Sequence, residues 1–267
     1  MEYLEGGREN QIARAGNTVI RPSGLWTPTV HSLLNHLREN NFLAAPEALG
    51  FDKAGNEIVS FIEGEVNNYP LSEAAKSLEA LQTAASLLRA YHDATISFLN
   101  RGMTQQKWML PAQEPAEVIC HGDYAPYNVV LNGRIAIAII DFDTTHPGPR
   151  VWDIAYALYR WAPLTNPQNL DGWGDLNQQI TRAQQFCDSY GLAISERENL
   201  VAITVARLHA LVNFMHTEAK KGNEAFQQNI TDGHHLSYLA DIEYLQKYHE
   251  QIRQGLTSSN LNRVYRK

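Results

Sequence analysis

From residue 118 to residue 143 the chain reads Val-Ile-Cys-His-Gly-Asp-Tyr-Ala-Pro-Tyr-Asn-Val-Val-Leu-Asn-Gly-Arg-Ile-Ala-Ile-Ala-Ile-Ile-Asp-Phe-Asp. Short apolar runs rich in β-branched residues flank Asn132-Gly133, and Asn-Gly in that setting signals a two-residue hairpin because both residues tolerate φ > 0. Pairing the strands on either side brings their outer ends together, so Asn128 lies near Asp141. Asp123 sits on the loop that enters the first strand. One end of a hairpin thus gathers two carboxylates and an amide. Such an oxygen-rich set suits Mg²⁺, which takes few protein ligands and completes its shell with phosphate oxygens.

The island is surrounded by a different pattern on each side. Residues 1–66 read as a small β-rich lobe. Segments 11–15 and 18–21 flank Gly16-Asn17 as one hairpin, and 47–51 and 57–62 form a second around Lys53-Ala54-Gly55-Asn56. Between them Thr27 can cap a helix with Pro28 at its first position, and Val30, Leu33, Leu34 and Leu37 repeat with the period of one buried face. The stretch from Glu63 to Pro70 is polar and turn-rich, which marks a domain boundary. Helices dominate residues 67–255: Ser72 caps one whose face carries Leu78, Leu81, Ala85 and Leu88, and others span 151–161, 177–190, 196–220 and 236–253. Residues 256–267 read as a flexible tail. The fold class is α+β, a β-rich lobe joined to a larger helical one.

His121-Gly122-Asp123, four intervening residues, Asn128, a hairpin and then Ile140-Asp141-Phe142-Asp143 resemble the catalytic core of the aminoglycoside phosphotransferase family. The spacing from Asp123 to Asn128 is also that of the protein-kinase catalytic loop, and Asp141-Phe142 parallels the start of its DFG segment. The resemblance implies a two-lobed protein-kinase-like fold and a Mg²⁺-dependent phosphotransferase with ATP or GTP as donor. It makes Asp123 the base that orients and deprotonates a substrate hydroxyl, Asn128 and Asp141 the metal ligands, and His121 a structural member of the loop. Asp153, in Trp152-Asp153-Ile154-Ala155, would accept backbone hydrogen bonds from that loop, although a carboxylate near a helix N-terminus is also favoured on its own account. Asp143 either assists the metal or braces the loop.

The small lobe departs from the kinase pattern. Such enzymes place a lysine on the third strand, paired with a glutamate on the next helix. Here residues 1–52 contain no lysine, and Arg21 is the residue in that position; its charge and forked donors suit phosphate oxygens. No acidic residue lies between Gly24 and Arg38; His31 occupies roughly the relevant turn, where it reads as a surface or interlobe histidine in preference to a weak substitute for the glutamate. Gly7, in Glu5-Gly6-Gly7-Arg8, fits a glycine turn over phosphates. Phe61 and Ile62 fit the interlobe strand that meets the nucleotide base. No GxxxxGK[ST] segment is present, which excludes a Walker-type site. Gly6-Gly7 and the segments around Arg21 and Trp26 also resemble a bacterial branch of the family that includes toxin-immunity proteins. The alternative reading is therefore a kinase-fold binding or immunity protein without transfer activity.

Composition narrows the partners. A net charge of −7 gives no electrostatic support to nucleic-acid binding. Cys120 and Cys187 make neither a disulfide framework nor a CxxC metal site. The acidic start lacks the basic region of a signal peptide, and the apolar run 135–140 is far too short for a membrane span. A cytoplasmic enzyme acting on a small molecule is the expectation, with aminoglycosides or other antibiotics, choline, homoserine and sugar-like metabolites as acceptor classes. His209 and His216 share a helix face near Asp232, His234 and His235, but without ligand spacing they read as core-edge and solvated histidines. Asp171, Asp175, Asp188 and Asp241 are acidic residues in the region expected to bind the acceptor.

Overall fold

The structure is a computed structural model that describes residues 2–4, 12–100 and 106–258. The chain divides into two compact units, Met1–Asp153 and Ile154–Lys267.

The first unit is built on an antiparallel sheet. Its strands are β1 (Glu2–Tyr3), β2 (Ala13–Ala15), β3 (Thr18–Arg21), β4 (Ala48–Phe51) and β5 (Glu57–Ser60), in the order β1-β2-β3-β5-β4. Gly16-Asn17 closes the β2–β3 hairpin, with Gly16 at φ +63°, a conformation only glycine adopts at no steric cost. The β4–β5 loop is tied by the Asp52 carboxylate, which accepts from the backbone N–H groups of Ala54 and Asn56. Helix α1 (Thr27–Glu39) buries Val30, Leu33, Leu34 and Leu37 along one face. Its cap differs from expectation. Trp26 holds the N-cap position, and the Thr27 hydroxyl accepts instead from the Gly24 N–H at 2.8 Å.

Ser72 does cap a helix, but only the single turn α2 (Glu73–Lys76). The chain breaks at Ser77, whose extended backbone and hydroxyl start α3 (Leu78–Leu99). Leu81, Ala85 and Leu88 are buried on α3, whereas Leu78 at its first position is 41% exposed. The β island divides into β6 (Val118–Cys120), paired antiparallel with β9 (His146–Gly148), and the hairpin of β7 (Val129–Asn132) and β8 (Ile135–Ile139).

Helix α4 (Arg150–Trp161) carries the chain into the second unit. There α5 (Leu176–Tyr190) opens with an Asp175–Gln178 capping box and ends at Gly191 in the left-handed region. The expected helix over 196–220 resolves into a short 3₁₀ turn, Ile194–Arg197, and α6 (Leu200–Lys220). An unforeseen two-turn helix, α7 (Glu224–Thr231), follows. The expected helix over 236–253 is α8 (His234–Lys247) and α9 (His249–Thr257), broken at Tyr248. By length and composition α6 could cross a membrane, yet within this unit it packs against α7, α8 and α9.

Candidate active site

Strand β6 delivers the chain into a tight loop at His121-Gly122-Asp123. Gly122 has φ +82°, and a Cβ there would run into the Thr144 carbonyl oxygen, so no other residue fits without displacing backbone. The loop hangs from one buried carboxylate. Asp153, in the first turn of α4, accepts from the backbone N–H groups of His121 at 2.6 Å and Gly122 at 3.0 Å, and from His92 Nε2 at 3.0 Å. Burial pushes the His92 imidazole below its ordinary pKa, so it is neutral and donates its Nε2 proton. Burial would raise the Asp153 carboxyl, but the hydrogen bonds from His92 and the His121 backbone N–H prevail and hold it at about 2.

His121 is wholly buried, and its Nε2 donates to the Ile140 carbonyl at 2.9 Å. Its ring meets Phe142 edge to face at 5.2 Å. The imidazole therefore joins the loop to the strand that precedes Asp141.

Asp123 is held at both oxygens. The Tyr127 hydroxyl donates to Oδ1 at 2.7 Å, and the Asn128 Nδ2 group donates to Oδ2 at 3.0 Å and to the Asp123 carbonyl at 2.9 Å. Asn128 ends the 3₁₀ turn Pro126–Asn128, and its own carbonyl accepts from the Ile140 N–H at 2.9 Å. That bond extends the β7–β8 ladder past Val129–Ile139 and fixes Asn128 beside the chain that enters Asp141. The far end of the hairpin differs from expectation. Asn132 pairs with Ile135, so the loop is Gly133-Arg134, with Gly133 at φ +59°. The register shifts between Val130 and Leu131, where Leu131 exchanges both backbone hydrogen bonds with Glu65, and the turn moves one residue along.

Asp141 has φ +60°, uncommon for a residue with a side chain, and its carboxylate is half-exposed. Asp143, two residues on in the 3₁₀ turn Phe142–Thr144, is buried. Arg21 meets both, NH1 to Asp141 at 2.5 Å and NH2 to Asp143 at 3.0 Å. Its Nε donates to Glu57 at 2.5 Å, and the other oxygen of Glu57 meets His31 Nε2 at 3.0 Å. Burial disfavours the Arg21 charge, but Asp141, Asp143 and Glu57 together raise its pKa. Burial would likewise raise Glu57, yet the His31 hydrogen bond and the Arg21 charge lower it.

The structure thus brings together Arg21, His121, Asp123, Asn128, Asp141, Asp143 and Asp153 through hydrogen bonds or one intervening residue. Phe61 and Ile62 follow the end of β5 opposite Glu57; the Phe61 N–H donates to Asn17, and the Arg14 guanidinium stacks 3.6 Å above its ring. Gly7 lies outside the described residues. Glu57, His92 and Tyr127 were missed. Glu57 carried one signal, a lone carboxylate opening the strand Glu57-Ile58-Val59. The other two carried none that local pattern could supply.

Asn128 and Asp141 supply the oxygen donors that a hard cation takes. Among the described residues no group of three or more His, Cys, Asp or Glu side chains is arranged to hold a metal by itself, so a cation here would need phosphate oxygens to complete its shell. His216 and His235 do meet, ring edge to face at 5.1 Å, in the second unit. The acidic residues there have structural partners. Asp175 caps α5, Asp171 pairs with Arg160 and Asp188 with Arg197. Buried Asp241 accepts from Tyr159, the Asn166 N–H and Asn169.

A small antiparallel sheet followed by a loop and hairpin that present Asp, Asn and Asp in this order defines a kinase-like phosphotransferase fold. The chain belongs to the phosphotransferase enzyme family, which it matches over residues 103–186. A trifolitoxin immunity protein of Rhizobium leguminosarum bv. trifolii is 32% identical over 230 residues, 83% of this chain and 84% of that one. A choline/ethanolamine kinase family protein from Mesorhizobium loti shares the fold with a TM-score of 0.61 at 15% identity, covering 96% of this chain and 92% of its own. Amicoumacin kinase hAmiN, solved with AMP-PNP, Ca²⁺ and Ami, does so at 0.57 and 13% identity over 84% and 89%.

Proposed function

We propose that this protein is a cytoplasmic small-molecule kinase that moves the γ-phosphoryl group of a nucleoside triphosphate to a hydroxyl of a small acceptor, with amino-bearing antibiotics and metabolites as the first class to test. The observation that carries this reading is the Asp123–Asn128 hydrogen bond at the end of a hairpin whose second strand leads directly into Asp141. Residues 1–66 would serve the nucleotide and residues 67–255 the transfer and the acceptor.

In this reading the acceptor hydroxyl donates to the Asp123 carboxylate, which Tyr127 and Asn128 hold in place before substrate arrives. The acceptor oxygen forms a bond to the γ-phosphorus as the bond to the β–γ bridging oxygen breaks. The hydroxyl proton passes to Asp123, and the nucleoside diphosphate leaves. A positioned base of this kind contributes about 10²–10⁴-fold. Asn128 and Asp141 would hold Mg²⁺, which supplies charge neutralisation to the phosphates. Arg21 would extend its two terminal nitrogens to phosphate oxygens, and Asp143 and Asp153 brace the two segments that carry the reacting groups.

A second reading is favoured by the immunity relative: protection through binding, without transfer. Two experiments separate them. Phosphoryl transfer from Mg-ATP and Mg-GTP to aminoglycosides, choline, amino alcohols and nucleosides should reveal an acceptor for the wild type and none for Asp123→Asn. Expression of both proteins in a trifolitoxin-sensitive host tests whether any protection depends on Asp123; protection by the variant equal to that of the wild type would favour binding.

A further inference from the structure

A guanidinium is planar, and each of its three nitrogens points in a fixed direction. Fixing one of its hydrogen bonds therefore fixes the direction of the other two. At Arg21 the fixed bond is the one from Nε to Glu57 Oε2, at 2.5 Å. Glu57 lies directly across from Arg21 in the β3–β5 register and is fully buried. Its remaining oxygen is held by His31 Nε2 at 3.0 Å, and the His31 ring stacks on Phe51 with centroids 4.8 Å apart. A buried carboxylate paired on one side only would be costly, and the second bond from α1 completes its shell. The result is a continuous chain from α1 to the acidic cluster, His31 to Glu57 to Arg21 to Asp141 and Asp143.

We infer that Glu57, braced by His31, is a positioning residue for phosphate binding: it holds the Nε of Arg21 so that NH1 and NH2 fork toward the Asp141–Asp143 end of the site. This inference rests on the kinase reading above, because it takes Arg21 as the phosphate-binding cation. The carboxylate comes from the sheet, in register with the arginine, and α1 contributes a histidine as its second support.

The test measures nucleotide affinity by calorimetry for the full chain, with Mg-ATP and Mg-GTP as probes. Glu57→Gln should weaken affinity about tenfold or more. In an Arg21→Ala background the same change should add less than twofold, since Glu57 acts through Arg21. His31 provides a second arm should Glu57→Gln fail to fold. His31→Phe keeps the stacked ring and loses the donor, so affinity should fall several-fold. His31→Gln keeps an N–H donor and should recover most of that loss. Equal effects of His31→Phe and His31→Gln, or additive effects of the 21 and 57 changes, would reduce the pair to packing and overturn the inference. Wild-type affinity in both Glu57→Gln and His31→Phe would overturn it alone. A wild type that binds neither nucleotide would overturn the kinase reading and this inference with it.

Discussion

Replacing Asp153 by Asn changes one atom in a wholly buried group, and the consequence follows from its three contacts. Oδ2 accepts from the His121 N–H and from His92, and Oδ1 accepts from the Gly122 N–H. An amide retains one oxygen. Turned so that its NH₂ group replaces Oδ1, it leaves only the Gly122 N–H without an acceptor, where the opposite turn would leave both the His121 N–H and His92; the better orientation costs about 1–3 kcal/mol. Asp153→Ala deprives all three donors and should cost more, about 3–5 kcal/mol. The charge adds a dependence on pH. The folded carboxyl sits at about 2 against an ordinary 3.8, and 1.8 pH units correspond to about 2 kcal/mol. Because the folded value is depressed, this stability is complete above about pH 4–5 and is lost as pH falls from there toward 2. His92, pushed below 6.5 by burial, acts in the same sense, since the unfolded chain takes up its proton first on acidification. Urea unfolding at pH 7 should show Asp153→Asn less stable by about 1–3 kcal/mol, with the gap narrowing toward pH 3. A variant within about 0.5 kcal/mol of wild type at pH 7, or a gap independent of pH, would refute the assignment of Asp153 as the loop's anchor.

Asp123→Asn should lower kcat by about 10²–10⁴-fold and leave nucleotide affinity within a few-fold, checked by steady-state transfer and calorimetry. Tyr127→Phe removes one hydrogen bond to that carboxylate; with about 1.5 kcal/mol at stake, kcat should fall roughly tenfold at unchanged nucleotide affinity. Asp141→Asn should abolish the extra rise in melting temperature that Mg²⁺ gives over nucleotide with a chelator, an increment worth about 2.7 kcal/mol at a hundredfold excess over Kd; an undiminished increment in a folded variant would remove Asp141 from the metal site. Gly122→Ala combines a left-handed backbone with a Cβ against the Thr144 carbonyl and should lower stability by about 2–4 kcal/mol in thermal unfolding.

What the sequence shows plainly is what local chemistry decides. The β7–β8 hairpin follows from turn residues between β-branched runs, and Asn128 reaches Asp123 because both belong to one loop. The buried face of α1 follows from a repeat that any helix must present to a core. Errors arise where a local signal competes with packing. Asn132-Gly133 and Gly133-Arg134 are adjacent turn options, and the irregularity beside Leu131 selects the second. Ser72 and Ser77 both cap helices, and the extended backbone at Ser77 ends the first after one turn and starts the long one.

The environment of Arg21 was hidden for a different reason. Its partner Glu57 lies thirty-six residues away, and their pairing depends on β3 and β5 meeting in one register, with α1 and β4 intervening in sequence. A search confined to residues 25–37 finds no carboxylate and reads a gap. Once the register is known, the choice of arginine is itself explained. Glu57, Asp141 and Asp143 approach from separate directions, and a guanidinium answers each with a different nitrogen held in one plane. A lysine offers a single nitrogen on a flexible stem; placed against Glu57 it could not also span the two aspartates. Arginine at 21 and glutamate at 57 therefore belong to one design, in which the strand opposite the cation supplies the group that aims it.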